Sequence, residues 1–208
     1  MGRSTHKLVE QGAQGNQLED AGGLPEGFAQ LLGAQQQDDS HRMIALYGEV
    51  NEHTISQVVL QMIHFANQSD APIRLIISTY GGSVDEMFSL YDTIKFIKAP
   101  VHTVVLGKVM SAGILIASAG EKGHRMMGPT SRAMIHPISG GALGHIFDVE
   151  NNVKEMKRIQ EQMTKFLAIE TGQSKKTITK MMESGKDSYL TAEEAVEFGI
   201  VDKIMKQE

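Results

Sequence analysis

The stretch from Val101 to Gly120, V-H-T-V-V-L-G-K-V-M-S-A-G-I-L-I-A-S-A-G, constrains the fold more than any other part of the chain. An apolar, β-branched run (Val101 to Leu106) reaches Gly107, Ser111 follows four residues later, and Ala112 to Ala119 is almost wholly apolar. The first run predicts a buried strand stopping at Gly107, and the second a buried helix. Ser111 then stands at the helix N-terminus, where unpaired N–H groups and the positive end of the macrodipole favour a developing negative charge. Two readings compete. Serine commonly caps a helix with its own oxygen, and serine at such a turn can also be a nucleophile.

Around this stretch the pattern is α/β. Met43 to Tyr47 predicts a short strand ended by Gly48, and Thr54 is expected to cap a helix with Ile55, Val58, Val59, Met62, Ile63 and Ala66 on its apolar side. Ile73 to Ser78 predicts a buried strand before a Gly81-Gly82 turn, and a helix with Val84, Met87, Phe88, Tyr91, Ile94 and Ile97 inward ends at Pro100. A strand is expected over Arg132 to His136, making parallel βαβ units. A long amphipathic helix is expected from Phe147 to Glu170, its stripe covering the chain's own core in preference to a neighbouring subunit. Two shorter helices follow, Lys175 to Met182 and Thr191 to Phe198, the second opened by a Thr191–Glu194 capping box; Ile200 to Ile204 closes as a strand. Residues 1–40 are rich in Gly, Gln and Asp and read as an N-terminal extension or removable pro-segment with one short helix near Phe28 to Leu32; residues 41–208 form the folded domain.

Composition removes several function classes. Twenty Lys and Arg against 25 Asp and Glu give a net charge of -5 without a basic block, which argues against nucleic acid as a partner. No apolar run is long enough to span a bilayer, and the absence of a secretory h-region points to the cytosol. With no cysteine, disulfides, thiolate metal sites and a cysteine nucleophile are excluded. Nucleophilic chemistry falls to Ser, Thr, Lys or a carboxylate.

Acyl transfer to serine needs a base, an acid that orients it, and N–H donors for the oxyanion. Of eight histidines, His136 stands at the C-terminal end of a buried strand, where open α/β sheets place their sites. His6, His41, His53 and His64 fall in the tail, at element edges or on a helix, His102 and His124 flank strands, and His145 lies in a glycine-rich connection. The backbone N–H groups of Gly82 and Ala112 are the candidate oxyanion donors. Asp187, in the Ser184 to Tyr189 turn, is the candidate orienting acid, with Glu183, Asp148 and Asp202 as competitors that spacing leaves open. Val109 breaks the G-x-S-x-G pattern, against an α/β-hydrolase elbow.

From Arg42 to Ile204 the chain resembles the proteolytic subunit of the Clp protease, the ClpP family. The matching stretches are I-A-L-Y-G-E-V (44–50), Y-G-G-S-V (80–84), Y-D-T-I-K-F-I-K (91–98), G-K-V-M-S-A-G (107–113), S-R-A-M-I-H-P (131–137), T-G-Q-S (171–174) and D-S-Y-L-T-A-E-E-A-V-E-F-G-I-V-D (187–202). The resemblance implies an α/β fold of the ClpP/crotonase-like type, repeated β-turn-α units with a protruding long helix. It implies Ser111 as nucleophile, His136 as base, Asp187 as orienting acid, and Gly82 and Ala112 as oxyanion donors, with no cofactor or metal. It further implies unfolded polypeptide substrates, homo-oligomeric stacked heptameric rings and an unfoldase ATPase as partner.

The sequence departs from the family pattern in several places. Thr79-Tyr80 replaces the Ser-Pro before the two glycines, Ala112 replaces a methionine, and Pro137-Ile138 follows His136 in place of Gln-Pro. The segment between Thr171 and Asp187 is about two residues longer than usual, and Lys186 replaces an arginine that helps join rings. Arg74 and Ile76 stand where surface aromatics receive the ATPase. Rival readings are a related maturation protease working without an ATPase, a catalytically silent ring subunit, and a crotonase-type acyl-CoA enzyme.

Overall fold

The computed structural model describes residues 42–183 and 185–206. The expectations for residues 1–40, including the short helix near Phe28, lie outside the described residues.

Strands β1 (Met43–Val50), β2 (Ile73–Gly82) and β3 (Val101–Met110) form the parallel centre of the sheet, joined by helices α1 (Glu52–Gln68) and α2 (Val84–Phe96). Helix α3 (Ala112–Ser118) leaves β3 directly and buries all seven of its residues. Its Ile114, Leu115 and Ile116 are completely enclosed, each contributing about 1.5–3 kcal/mol of burial. Gly113 permits this packing, because a Cβ there would lie 2.5 Å from Thr79 Cγ2.

Gly107 does not end β3. It takes φ 77°, its N–H donates to Ser131 Oγ at 2.8 Å, and the strand continues to Met110. The kink divides the strand's partners. Val104 and Val105 pair with β4 (Met126–Met127), whereas Lys108 to Met110 pair with β5 (Arg132–Ile135). Gly48 likewise makes a bulge inside β1, and Gly81 and Gly82 belong to the end of β2. Glycine supplies the positive φ that a bulge demands, so the same residue that reads as a strand stop can extend a bent strand.

Helix α1 is capped by Asn51, with Thr54 as its capping-box partner three residues in, one turn earlier than expected. Ile63 is exposed; of the other expected positions Ile55, Val58 and Met62 are buried, and Val59 and Ala66 pack half-buried against the core. Helix α2 ends at Phe96, ahead of Pro100.

Helix α4 (Ile146–Thr171) is followed by α5 (Lys175–Glu183), the short strand β6 (Ser188–Leu190), α6 (Ala192–Phe198) and β7 (Lys203–Ile204). Thr191 and Glu194 form the expected capping box of α6. The expectation that the α4 stripe covers the core holds only for its C-terminal half. Met163, Thr164, Leu167 and Glu170 are buried, while Ile146, Phe147 and Val153 are exposed.

The buried end of α4 is fastened by polar contacts. Glu170 accepts a 2.8 Å hydrogen bond from Tyr91 Oη and pairs with Lys95 Nζ at 2.8 Å. Burial, then the hydrogen bond to Glu170, pushes the Tyr91 phenol well above its ordinary pKa. The Glu170 carbonyl accepts from Lys122 Nζ and, at 2.9 Å, from Arg125 Nη1.

Candidate active site

Ser111 and His136 come together because the two strands they follow, β3 and β5, are paired. Met110 and Met134 are partners across the parallel β3–β5 pair, so the residues just beyond each strand emerge at one sheet edge. Ser111 N–H donates to the Met134 carbonyl at 2.9 Å, fixing the turn to the neighbouring strand. Ser111 takes φ 54° and ψ -123°, the single positive φ outside glycine among the described residues. Such a backbone costs of order 1–3 kcal/mol and persists only where its surroundings impose it. Here the enclosed α3, the Met134 carbonyl and the close-packed Gly81 impose it.

The two readings of Ser111 are separated by where its oxygen goes. Its side chain makes no capping hydrogen bond to α3. Instead, Ser111 Oγ lies 2.6 Å from His136 Nε2, in a half-buried setting. A proton can pass between these atoms without rearrangement.

The second imidazole nitrogen faces a carboxylate. His136 Nδ1 stands 3.9 Å from Asp187 Oδ1, too long for a hydrogen bond but within ion-pair range. Pairing of β5 with antiparallel β6 sets this up, since Ile135 lies opposite Ser188 and the adjacent residues 136 and 187 follow. The Asp187 carboxylate is half exposed and accepts from Tyr189 Oη at 3.4 Å.

Asp202, a competitor for the orienting role, is fully engaged elsewhere. It accepts from Gly123 N–H, Arg125 N–H and the Arg125 guanidinium, at distances from 2.5 to 3.0 Å. Burial alone would raise its pKa, but the Arg125 hydrogen bonds and charge and the Gly123 N–H outweigh that and hold it below the ordinary value. Asp148 sits in the exposed first turn of α4, and Glu183 ends α5 on a separate groove.

Gly82 and Ala112 line a small cleft of about 40 Å³ with Ser111, His136 and Met163. Substituents on the glycines are excluded: a Cβ on Gly82 would lie 2.2 Å from the Val50 carbonyl oxygen. The cleft shares Pro137 and Ile138 with a groove of about 960 Å³ between the 137–142 segment, the exposed half of α4 and α5. Val149, Val153, Met156 and Met182 make that groove largely apolar, with Lys157, Glu161, Lys175 and Glu183 at its sides.

The chain matches the family model described as Clp protease over residues 32–208. It belongs to the Clp protease family. Membership agrees with the mostly parallel sheet of ClpP/crotonase-like type and its six helices among the described residues. It supports a Clp-type serine peptidase. The family match begins at residue 32, ahead of the Arg42 at which the motif resemblance starts. No described helix is long and apolar enough to cross a membrane.

Sequence reasoning missed two contributors to the geometry. One is β6, whose three residues carry no usable periodicity. The other is the contact of Gly81 with the Ser111 turn, signalled only by the glycine pair itself.

Proposed function

We propose that the chain hydrolyses peptide bonds through Ser111, His136 and Asp187, as the proteolytic subunit of a Clp-type protease. The observation carrying this reading is the 2.6 Å contact between Ser111 Oγ and His136 Nε2, made by a serine whose oxygen is not spent on capping α3. As Ser111 attacks a peptide carbonyl, His136 Nε2 takes its proton and the carbonyl oxygen becomes an oxyanion. The N–H groups of Gly82 and Ala112 receive that charge at the head of α3. The tetrahedral intermediate collapses, His136 returns the proton to the leaving amine, and the acyl group remains on Ser111. Water deprotonated by His136 then releases the acid and restores the serine. Asp187 stabilises the imidazolium and keeps Nδ1 protonated.

Residues 1–40 are read as an extension and 41–208 as the peptidase domain. The exposed Ile146, Phe147 and Val153 on the first half of α4 support self-association, which we assign to homo-oligomeric, stacked heptameric rings enclosing the sites. Substrates are then unfolded polypeptides in a cytoplasmic setting, delivered by a Clp-type unfoldase. Exposed Arg74 and half-buried Ile76, on the central strand β2 in place of the aromatics that receive such an ATPase in the family, favour a second reading as a maturation protease acting without one.

Ser111→Ala tests the chemistry. It is expected to abolish hydrolysis of a fluorogenic peptide and fluorophosphonate labelling, by several powers of ten, with native mass unchanged. Labelling that survives in this variant rejects Ser111.

A further inference from the structure

Away from Ser111, three side chains meet that peptide hydrolysis does not use. His102, at the start of β3, joins Glu121 and His124 from the connection between α3 and β4; one ligand atom of each lies within 4.8 Å of the others. His102 Nε2 is 3.0 Å from Glu121 Oε2. The imidazoles of His102 and His124 stack with centroids 4.1 Å apart and planes 10° from parallel.

The backbone beneath this cluster is pinned on both sides. Glu121 N–H donates to the Val101 carbonyl at 2.8 Å, and His124 N–H donates to the Glu121 carbonyl at 3.0 Å. The Asp202 carboxylate accepts from Gly123 N–H at 2.7 Å and Arg125 N–H at 2.9 Å. The turn that carries two of the three groups is therefore held against the strand that carries the third. Its two cations are directed elsewhere, Lys122 to the Glu170 carbonyl and Arg125 to Asp202 and that same carbonyl.

We propose that His102, Glu121 and His124 form a binding site for Zn²⁺, with three protein ligands and a fourth position open to solvent. Two imidazoles and one carboxylate are a donor set that zinc takes, whereas calcium and magnesium call for oxygen donors throughout. Around a tetrahedral zinc with bonds of about 2.1 Å, neighbouring ligand atoms stand about 3.4 Å apart. The His102–Glu121 contact already has nearly that spacing, and exposed His124 closes the remainder by side-chain rotation. The nine-residue run of strand from His102 to Ser111 spans about 30 Å at roughly 3.3 Å per residue, so the ion takes no part in hydrolysis. Its effect is to tie the start of β3 to the connection before β4.

The full-length chain, stripped with EDTA, is titrated with ZnCl₂ against a chromophoric chelator, and its unfolding temperature is read with and without zinc. One zinc per chain is expected, with a rise in unfolding temperature as the ion binds the folded state. His102→Ala, His124→Ala and Glu121→Gln should each weaken binding at least about tenfold, since even partners behind a ligand are worth that much. The double variant His102→Ala/His124→Ala should lose both the binding and the zinc-dependent rise, while keeping its circular dichroism and metal-free peptide hydrolysis. If the double variant does not fold, the exposed single changes Glu121→Gln and His124→Ala carry the test. A parent chain that binds no zinc overturns the proposal. So does zinc retained by the variants, which would put the ion on other histidines.

Discussion

Gly81 packs so closely on Ser111 that a Cβ added to it would lie 2.7 Å from Ser111 Cβ and 3.0 Å from Ala112 N. The end of β2 is thus a wall behind the nucleophile turn, built of backbone that cannot yield as a flexible side chain would. Gly81→Ala must push that turn, and a displacement of about 1 Å at reacting groups can cost a hundredfold in rate. We expect peptide hydrolysis to fall by roughly that factor, with stability lowered by about 1–3 kcal/mol. Gly48→Ala is the control. Gly48 also has positive φ, 98°, but nothing lies within 4 Å of its would-be Cβ. It should lose about 1 kcal/mol of stability and keep its rate. Urea unfolding and kcat/KM on the two variants separate contact from backbone strain.

The strain at Ser111 makes an opposite prediction about stability. At φ 54° and ψ -123° a residue with a Cβ is penalised, and glycine is not. Ser111→Gly and Ser111→Ala both remove the nucleophile, so both should be inactive. The glycine variant should nevertheless be the more stable by about 1 kcal/mol, once the glycine's greater unfolded-state entropy is set against the relieved strain. Equal unfolding midpoints would mean that the strain relieved is no larger than the entropic cost of glycine, about 1 kcal/mol or less.

How far the residues alone disclose this arrangement depends on the range of the forces involved. The enclosed α3 and the Thr191–Glu194 box are set by neighbours in sequence and can be read directly. Gly107 is different. Whether it stops β3 or bends it depends on Ser131 Oγ accepting its N–H and on β5 pairing with Lys108 to Met110, partners more than twenty residues away. The same non-local pairing puts Ser111 beside His136, so each stands out in the sequence as a strand-end residue while their contact does not. Asp187 depends on β6, and three residues are too few to show a period. The α4 stripe runs unbroken from Val149 to Leu167, yet only its C-terminal half meets the core, because periodicity records a face and not what covers it.

Asp202 predicts how the fold responds to acid. Its folded-state pKa lies below the ordinary carboxylate value of 3.8, so its contribution is complete above that value and is lost as pH falls through the folded pKa. Asp202→Asn leaves the Arg125 guanidinium buried without its carboxylate and should destabilise by about 2–3 kcal/mol at neutral pH. The loss should shrink as pH falls below the usual carboxylate range, because the parent is then protonated too. Urea midpoints of both chains, followed from neutral to acidic pH, check this. Parallel curves across that range would remove Asp202 as the titrating group.

Asp187 is the loosest member of the candidate triad, and its geometry predicts a graded loss. A carboxylate 3.9 Å from His136 Nδ1 and half exposed stabilises the imidazolium through a field that water partly screens. It does not clamp the ring as a short buried hydrogen bond would. Asp187→Asn should therefore lower kcat/KM by about a hundredfold to a thousandfold, less than the near-complete loss in Ser111→Ala, with KM little changed. Because Tyr189 Oη also reaches this carboxylate, Tyr189→Phe should add only a small loss in the parent and none in the Asp187→Asn background. Steady-state kinetics on the single and double variants give the result. A loss in Asp187→Asn as deep as that of Ser111→Ala would show that the carboxylate closes onto the imidazole in the working enzyme.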